Sequence, residues 1–148
     1  SNYVLNDAMV GVWVNLQGAG AGLKPALGVV GGDRPKINPS TGSSGTGCIN
    51  STSGTSIPTG AATRTGFWTM ERTASNAVEI FRNGISQNTN TTASTTLNTQ
   101  DGALLRLAST YSNDRVGLFC AGKSLGGAAN QLAFYNILNT FMTDIGAN

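Results

Sequence analysis

The sequence predicts an all-β chain: an antiparallel β-sandwich of jelly-roll type, braced by one amphipathic helix near the C-terminal end. Three observations carry that prediction. Gly, Ser, Thr and Asn supply nearly half of the 148 residues, with 20 glycines among them, a composition suited to short strands joined by many turns. Apolar residues alternate with a period of two along several stretches, and an Asn-Gly pair separates two of these. Over about the last twenty residues the period becomes that of a helix. The length suits a single domain over 1–148, since one core usually closes at roughly 100–200 residues.

In chain order, Met9 to Leu16 places Val10, Val12, Val14 and Leu16 on one face and Gly11, Trp13 and Asn15 on the other, a half-buried strand. Gly18 to Gly22 reads as a flexible connection. Ala26 to Val30 is a short apolar strand closed by a Gly31-Gly32-Asp33 turn. Residues 39–63 offer only Cys48, Ile49 and Ile57 to a core, so one short strand is expected around 47–51 and loop elsewhere. From Gly66 to Arg72, Trp68 and Met70 share one face while Phe67, Thr69 and Glu71 share the other. Ala77 to Arg82 leads into Asn83-Gly84, which favours a type I′ hairpin because both central residues tolerate positive φ. Ser86 to Thr99 has β-propensity without an apolar face and reads as an edge. Leu104 to Ala108 and Arg115 to Ala121 are two further strands. Leu132, Tyr135, Leu138, Met142 and Ile145 recur at helical spacing, with Phe134, Ile137 and Phe141 widening the stripe, so a helix is expected over about 127–145 with Gly146 at C′.

The absence of histidine excludes Ser-His-Asp, Cys-His and His-based zinc chemistry. Cys48 and Cys120 are too far apart for a C-x-x-C motif; they either pair or sit as small buried thiols. No apolar stretch approaches the roughly 20 residues of a membrane span. The chain begins at Ser1, which suggests processing, a tag or a fragment of a longer polypeptide. Charged residues make up 11%, and the nine Lys and Arg are scattered, so no nucleic-acid partner is expected.

The run Arg72 to Gly84 has Arg, eight residues, Phe81, one residue, and Asn83-Gly84. It resembles a hairpin of concanavalin A-like, laminin-G-like lectin jelly rolls. The stretch Tyr111-Ser112-Asn113-Asp114-Arg115, the strand to Gly122, Ser124-Leu125 and the helix with Phe134-Tyr135 are similar to the ending of such modules in tailed-phage virion proteins. The resemblance spans about residues 9–146. It implies two stacked antiparallel sheets, a virion location, and partners among other virion subunits, further copies of the chain or a host-surface glycan. Modules of this kind usually carry more strands before this starting point, so an open edge covered by oligomerisation or by a precursor segment is expected.

Within that frame the expected role is non-enzymatic: virion structure or host-surface adhesion, with glycan as the candidate ligand. Ring platforms are offered by Tyr3, Trp13, Trp68 and Tyr111, although strand tryptophans belong more often to a core. Asp33, Arg34, Asn113 and Asp114, all expected in loops, are the candidate glycan-binding residues. No cofactor is expected; calcium is left open by Asn2, Asn6 and Asp7 and by Asn113 and Asp114, without a D-x-D loop. The alternative is a jelly-roll glycoside hydrolase using Glu71 and Glu79, which lack the E-x-D-x-x-E pattern but could approach one another from neighbouring strands. The preferred expectation for these two is solvated charges paired with Arg72 or Arg82.

Overall fold

The computed structural model describes residues 4–20, 22–29, 32–41, 45–51, 55–57, 63–97, 101–107 and 109–147. In chain order the strands are β1 (Ala8–Leu16), β2 (Gly22–Leu23), β3 (Leu27–Val29), β4 (Gly32–Asn38), β5 (Ser40–Thr41), β6 (Gly45–Cys48), β7 (Thr55–Ile57), β8 (Gly66–Ala74), β9 (Ala77–Arg82), β10 (Ile85–Asn90), β11 (Gly102–Leu104), β12 (Arg106–Leu107), β13 (Thr110–Tyr111) and β14 (Arg115–Gly122), followed by helix α1 (Ala128–Asp144). One sheet has the order β10-β9-β8-β1-β14 and the other β11-β3-β4-β6-β7, all pairs antiparallel. The expected β-sandwich with a C-terminal helix is what forms.

Period-two alternation explains the layers. Val10, Val12 and Val14 of β1, Trp68 and Met70 of β8, and Val78 and Ile80 of β9 point inward and meet Ala26, Leu27, Ile37 and Ile49 from the facing side. The opposite face of the first sheet is also covered: Trp13, Phe67 and Met142 form a second cluster with Leu118, Cys120, Phe134, Tyr135 and Leu138 beneath α1. β1 is therefore buried on both faces rather than half-buried. At Gly11 a Cβ would lie 2.8 Å from Cys120 Sγ and 2.9 Å from Phe67 Cζ, so only glycine lets these layers meet.

The Asn83-Gly84 hairpin joins β9 to β10 with φ of 52° and 74°, as its turn type requires. Gly84 rests against the helix, because a Cβ there would sit 2.6 Å from Leu132 Cα. β10 is the expected edge strand. The helix ends in a Schellman motif: Gly146, at φ 68°, donates its N–H to Thr143 O and Ala147 donates to Met142 O.

Several expectations are corrected. Of the turn expected at Gly31-Gly32-Asp33, Gly31 lies outside the described residues and Gly32 and Asp33 belong to β4, so Asp33 and Arg34 lie on a strand rather than in a loop; pairing with β3 and β6 prevails over Pro35 and the local turn residues. Between 39 and 63 the described residues form three short strands, not one, because ladder bonds can use Gly, Ser and Thr where no apolar stripe advertises a strand. The strand expected over Leu104 to Ala108 breaks at Leu105, which has φ 59° and separates β11 from β12.

The helix also presents a different face. Gln131 and Met142 are buried, with Phe134, Tyr135 and Leu138 half-buried between them, while Leu132, Ile137, Phe141 and Ile145 are exposed, Ile137 by 68%. Apolar residues encircle most of α1, so periodicity alone leaves its rotation open, and the hydrogen bonds of Gln131 fix it. Both cysteines are free thiols. Cys120, half-buried under the helix, has its thiol pushed up to about 11 by that burial.

Candidate active site

The outer face of the first sheet carries the site. In the β8–β9 ladder Glu71 stands directly opposite Glu79, so both side chains leave the same face. Directly opposed residues hold their Cβ atoms about 4.5–5.5 Å apart. Glu71 is 1% exposed, whereas Glu79 is half-buried. Glu71 Oε2 accepts hydrogen bonds from Gln131 Nε2 at 2.9 Å and from the Leu125 N–H at 3.0 Å. Glu71 Oε1 is buried without a hydrogen-bond partner. A buried carboxylate oxygen left unmatched is costly and marks a place where a ligand can supply the missing contact.

Glu71 and Glu79 both line a cleft with a volume of about 360 Å³. Thr73, Asn76, Thr89, Asn90 and Thr91 supply hydroxyls and amides to its walls, and Gly126 and Gly127 form its rim. These two glycines adopt φ of 83° and 112°, left-handed values that bring the chain from β14 into α1. Among its described lining residues the cleft has no Lys, Arg or aromatic side chain.

The expectation that Glu71 and Glu79 are solvated and paired with Arg72 or Arg82 is therefore corrected. Arg72 leaves the other face of β8 and spends its guanidinium on backbone carbonyls, with Nε and Nη2 donating to Ile49 O at 3.1 and 3.0 Å and Nη1 to Ser75 O and Thr92 O. Arg82 donates to Thr65 O and lies 5.4 Å over the Trp68 ring.

The residues expected to bind glycan fall elsewhere. Asp33 and Arg34 are on β4, with only their backbone described. Asn113 is exposed and donates to Ala19 O. Asp114 is buried in an ion pair with Arg64 at 2.8 Å and also accepts from the Gly18 N–H at 2.7 Å. Burial by itself would raise the Asp114 carboxyl, but the Arg64 guanidinium, Gly18 N–H and Ser112 outweigh it and hold the group below the ordinary carboxylate value. Arg64 completes the corner by donating to Gly18 O and Gly20 O, so this group of residues pins the Gly-rich connection.

Of the expected ring platforms, Trp13 and Trp68 are buried, Tyr111 is exposed with Arg106 over it at 5.2 Å, and Tyr3 lies outside the described residues. Asp7 is engaged by Ser124 and Lys123, and the hydrogen bond from Ser124 leads the lowering of its carboxyl. Asn2 lies outside the described residues. Gln131 was not among the candidate residues. Its signal in the sequence is a polar side chain three residues before Phe134 on the stripe that meets the sheet.

No family model and no curated protein matches the chain. Among solved structures it is similar to Trypanosoma rangeli sialidase, with a TM-score of 0.59, 11% identity, and coverage of 90% of this chain and 22% of that one. The same enzyme in complex with 2,3-difluorosialic acid, described as a covalent intermediate, matches with a TM-score of 0.59 and 11% identity over 90% of this chain and 23% of that one. The chain thus spans less than a quarter of the length of these solved chains, and what the likeness shows is a shared fold. The expectation of a non-enzymatic chain is corrected at this point, since the solved chains that share its fold are enzymes.

Proposed function

We propose that the Glu71–Glu79 cleft cleaves a neutral glycoside by a retaining mechanism. The observation that carries this reading is the pair itself: two glutamates opposed across one ladder, lining one cleft, with Glu71 Oε1 lacking a partner. Retaining glycosidases use two carboxyl groups about 5–5.5 Å apart. Once a side-chain rotation brings Oε1 of Glu71 to the cleft, that oxygen attacks the anomeric carbon while Glu79 gives its proton to the departing glycosidic oxygen. Water then enters, Glu79 takes a proton from it, the water oxygen bonds to the anomeric carbon, and the bond from that carbon to Glu71 breaks.

The surrounding hydroxyls and amides suit sugar hydroxyls. The absence of a basic group among the described lining residues argues against an anionic sugar. The machinery therefore differs from the tyrosine nucleophile that sialidases use. The resemblance of Arg72–Gly84 to lectin hairpins supports a carbohydrate ligand, and on the same resemblance we place the activity on a virion surface, facing a host-surface glycan. Sedimentation of the chain with intact particles checks that setting.

The test is hydrolysis of a panel of neutral polysaccharides and aryl glycosides by the purified protein, with the anomeric configuration of the product followed by NMR. Retention is expected, with kcat/KM lowered about 10²–10⁴-fold by Glu71→Gln or Glu79→Gln. Absence of hydrolysis across the panel, or unchanged hydrolysis in both variants, overturns the proposal.

A further inference from the structure

A second cleft, of about 340 Å³, opens at the other end of the same sheet face, bordered by Trp13, Asn15, Thr65, Asn83, Tyr135 and Asn139. Gly66 at its edge and Glu71 are five positions apart on β8, about 17 Å at strand rise, so the two clefts are separate. Its chemistry also differs. No ionised side chain lines it among the described residues, and it is built from aromatic rings and amides.

The rings are ordered in a stack. Trp13 and Tyr135 are 5.9 Å apart with an interplanar angle of 16°, and Trp13 and Phe67 are 5.7 Å apart at 26°. Trp13 is almost fully covered, so the accessible ring is that of Tyr135, backed by two others and fixed before any ligand arrives. Three amides surround it. Asn15 borders the cleft from β1, with its amide laid over Gly117 of β14, where Oδ1 is buried and Nδ2 donates to Ala147 O. Asn83 is held by accepting from the Phe67 N–H at 2.9 Å, which leaves its amino group as a donor. Asn139 on α1 accepts from Tyr135 Oη at 3.5 Å.

A rigid ring beside the amino group of Asn83 and the amide of Asn139 is what a pyranose needs. Its C–H face packs on the ring, and its hydroxyls, each donor and acceptor, satisfy amides that a purely apolar ligand would leave unpaired. The volume lies at the small end of ligand clefts, which run about 300–1,000 Å³, and suits a single sugar unit. We infer that this cleft is a binding site for a neutral pyranose, distinct from the Glu71–Glu79 cleft and without catalytic groups.

The experiment is an NMR titration of the whole chain with the methyl glycosides of glucose, galactose, mannose and N-acetylglucosamine, following side-chain amide signals. Saturable shifts at Asn15, Asn83 and Asn139 are expected with at least one glycoside, at an affinity in the millimolar range. Asn139→Leu, which keeps a good helix former on an accessible helix position, is expected to weaken binding at least tenfold while leaving glycoside hydrolysis unchanged. Glu71→Gln is expected to leave the titration unchanged, so the two sites can fail independently. Tyr135→Phe keeps the ring and serves as the fold-preserving second variant, retaining binding within a few-fold. No saturable shift with any of the glycosides, shifts confined to residues of the Glu71 cleft, or equal affinity in Asn139→Leu overturns the inference.

Discussion

Two buried charged groups of this molecule are built on opposite terms. At the Arg64–Asp114 corner a cation meets an anion, each is further matched by Gly18 or Gly20, and the Asp114 N–H donates to Ser112 Oγ. At the Glu71–Glu79 ladder position one acidic side chain faces another, and one carboxyl oxygen of Glu71 has no partner. The corner holds three loops together and stabilises the fold. The ladder pair does the reverse, because like charges directly opposite destabilise a sheet. The difference teaches that burial of charge does not by itself separate a structural site from a reactive one; the matching of its atoms does.

The largest effect that could break this contrast lies at the corner. Asp114→Ala leaves the Arg64 guanidinium buried without its counter-charge and should cost about 3–5 kcal/mol, read from the urea midpoint. A loss below about 1 kcal/mol would place the corner among ordinary surface pairs. The pH dependence follows the same logic. Asp114 and Asp7 have lowered carboxyls in the folded chain, so the stability they provide is present above the ordinary value of 3.8 and is lost as pH falls through their folded values. Acid unfolding below about pH 4 should therefore be less steep in Asp114→Asn, measured by thermal melts across pH.

A smaller effect is expected at the hairpin tip, where the reactive sheet face meets the helix. Gly84→Ala combines φ 74° with a contact to Leu132 and should cost about 1–3 kcal/mol. Little change in the denaturation midpoint would detach the tip from the helix. The smallest effect has the opposite sign. Glu79→Gln removes the repulsion that arises when both facing carboxyls ionise and should raise stability by about 0.2–1 kcal/mol while it lowers turnover. A loss of stability would mean that the ladder pair is matched after all.

Much of the sandwich was legible where side chains alternate. Val10, Val12 and Val14, Trp68 and Met70, and the Asn83-Gly84 turn each carry a local signal that agrees with the final structure. The strand expected around 47–51 overlaps β6, whereas β4 and β7 were not legible, because Gly, Ser, Thr and Pro35 form ladders there only when a neighbouring strand is already in place. The rotation of α1 was hidden by its surplus of apolar residues. The reactive pair was half legible: alternation put Glu71 on the face away from Trp68, but its burial depends on a helix sixty residues later, through Gln131. The signal that could have found Glu79 opposite it is the tight Ser75-Asn76 turn, which sets the β8–β9 register.

The double-glycine approach to α1 has a consequence for how this molecule can change. Backbone joints of that kind impose no angle of their own, and the first turn has no side-chain cap, so the rod is latched to the sheet at this end by Gln131 gripping Glu71. In the proposed reaction, the group that attacks is also the fastener. A lineage that discarded the carboxylate would loosen its own roof, so loss of the chemistry could not be silent.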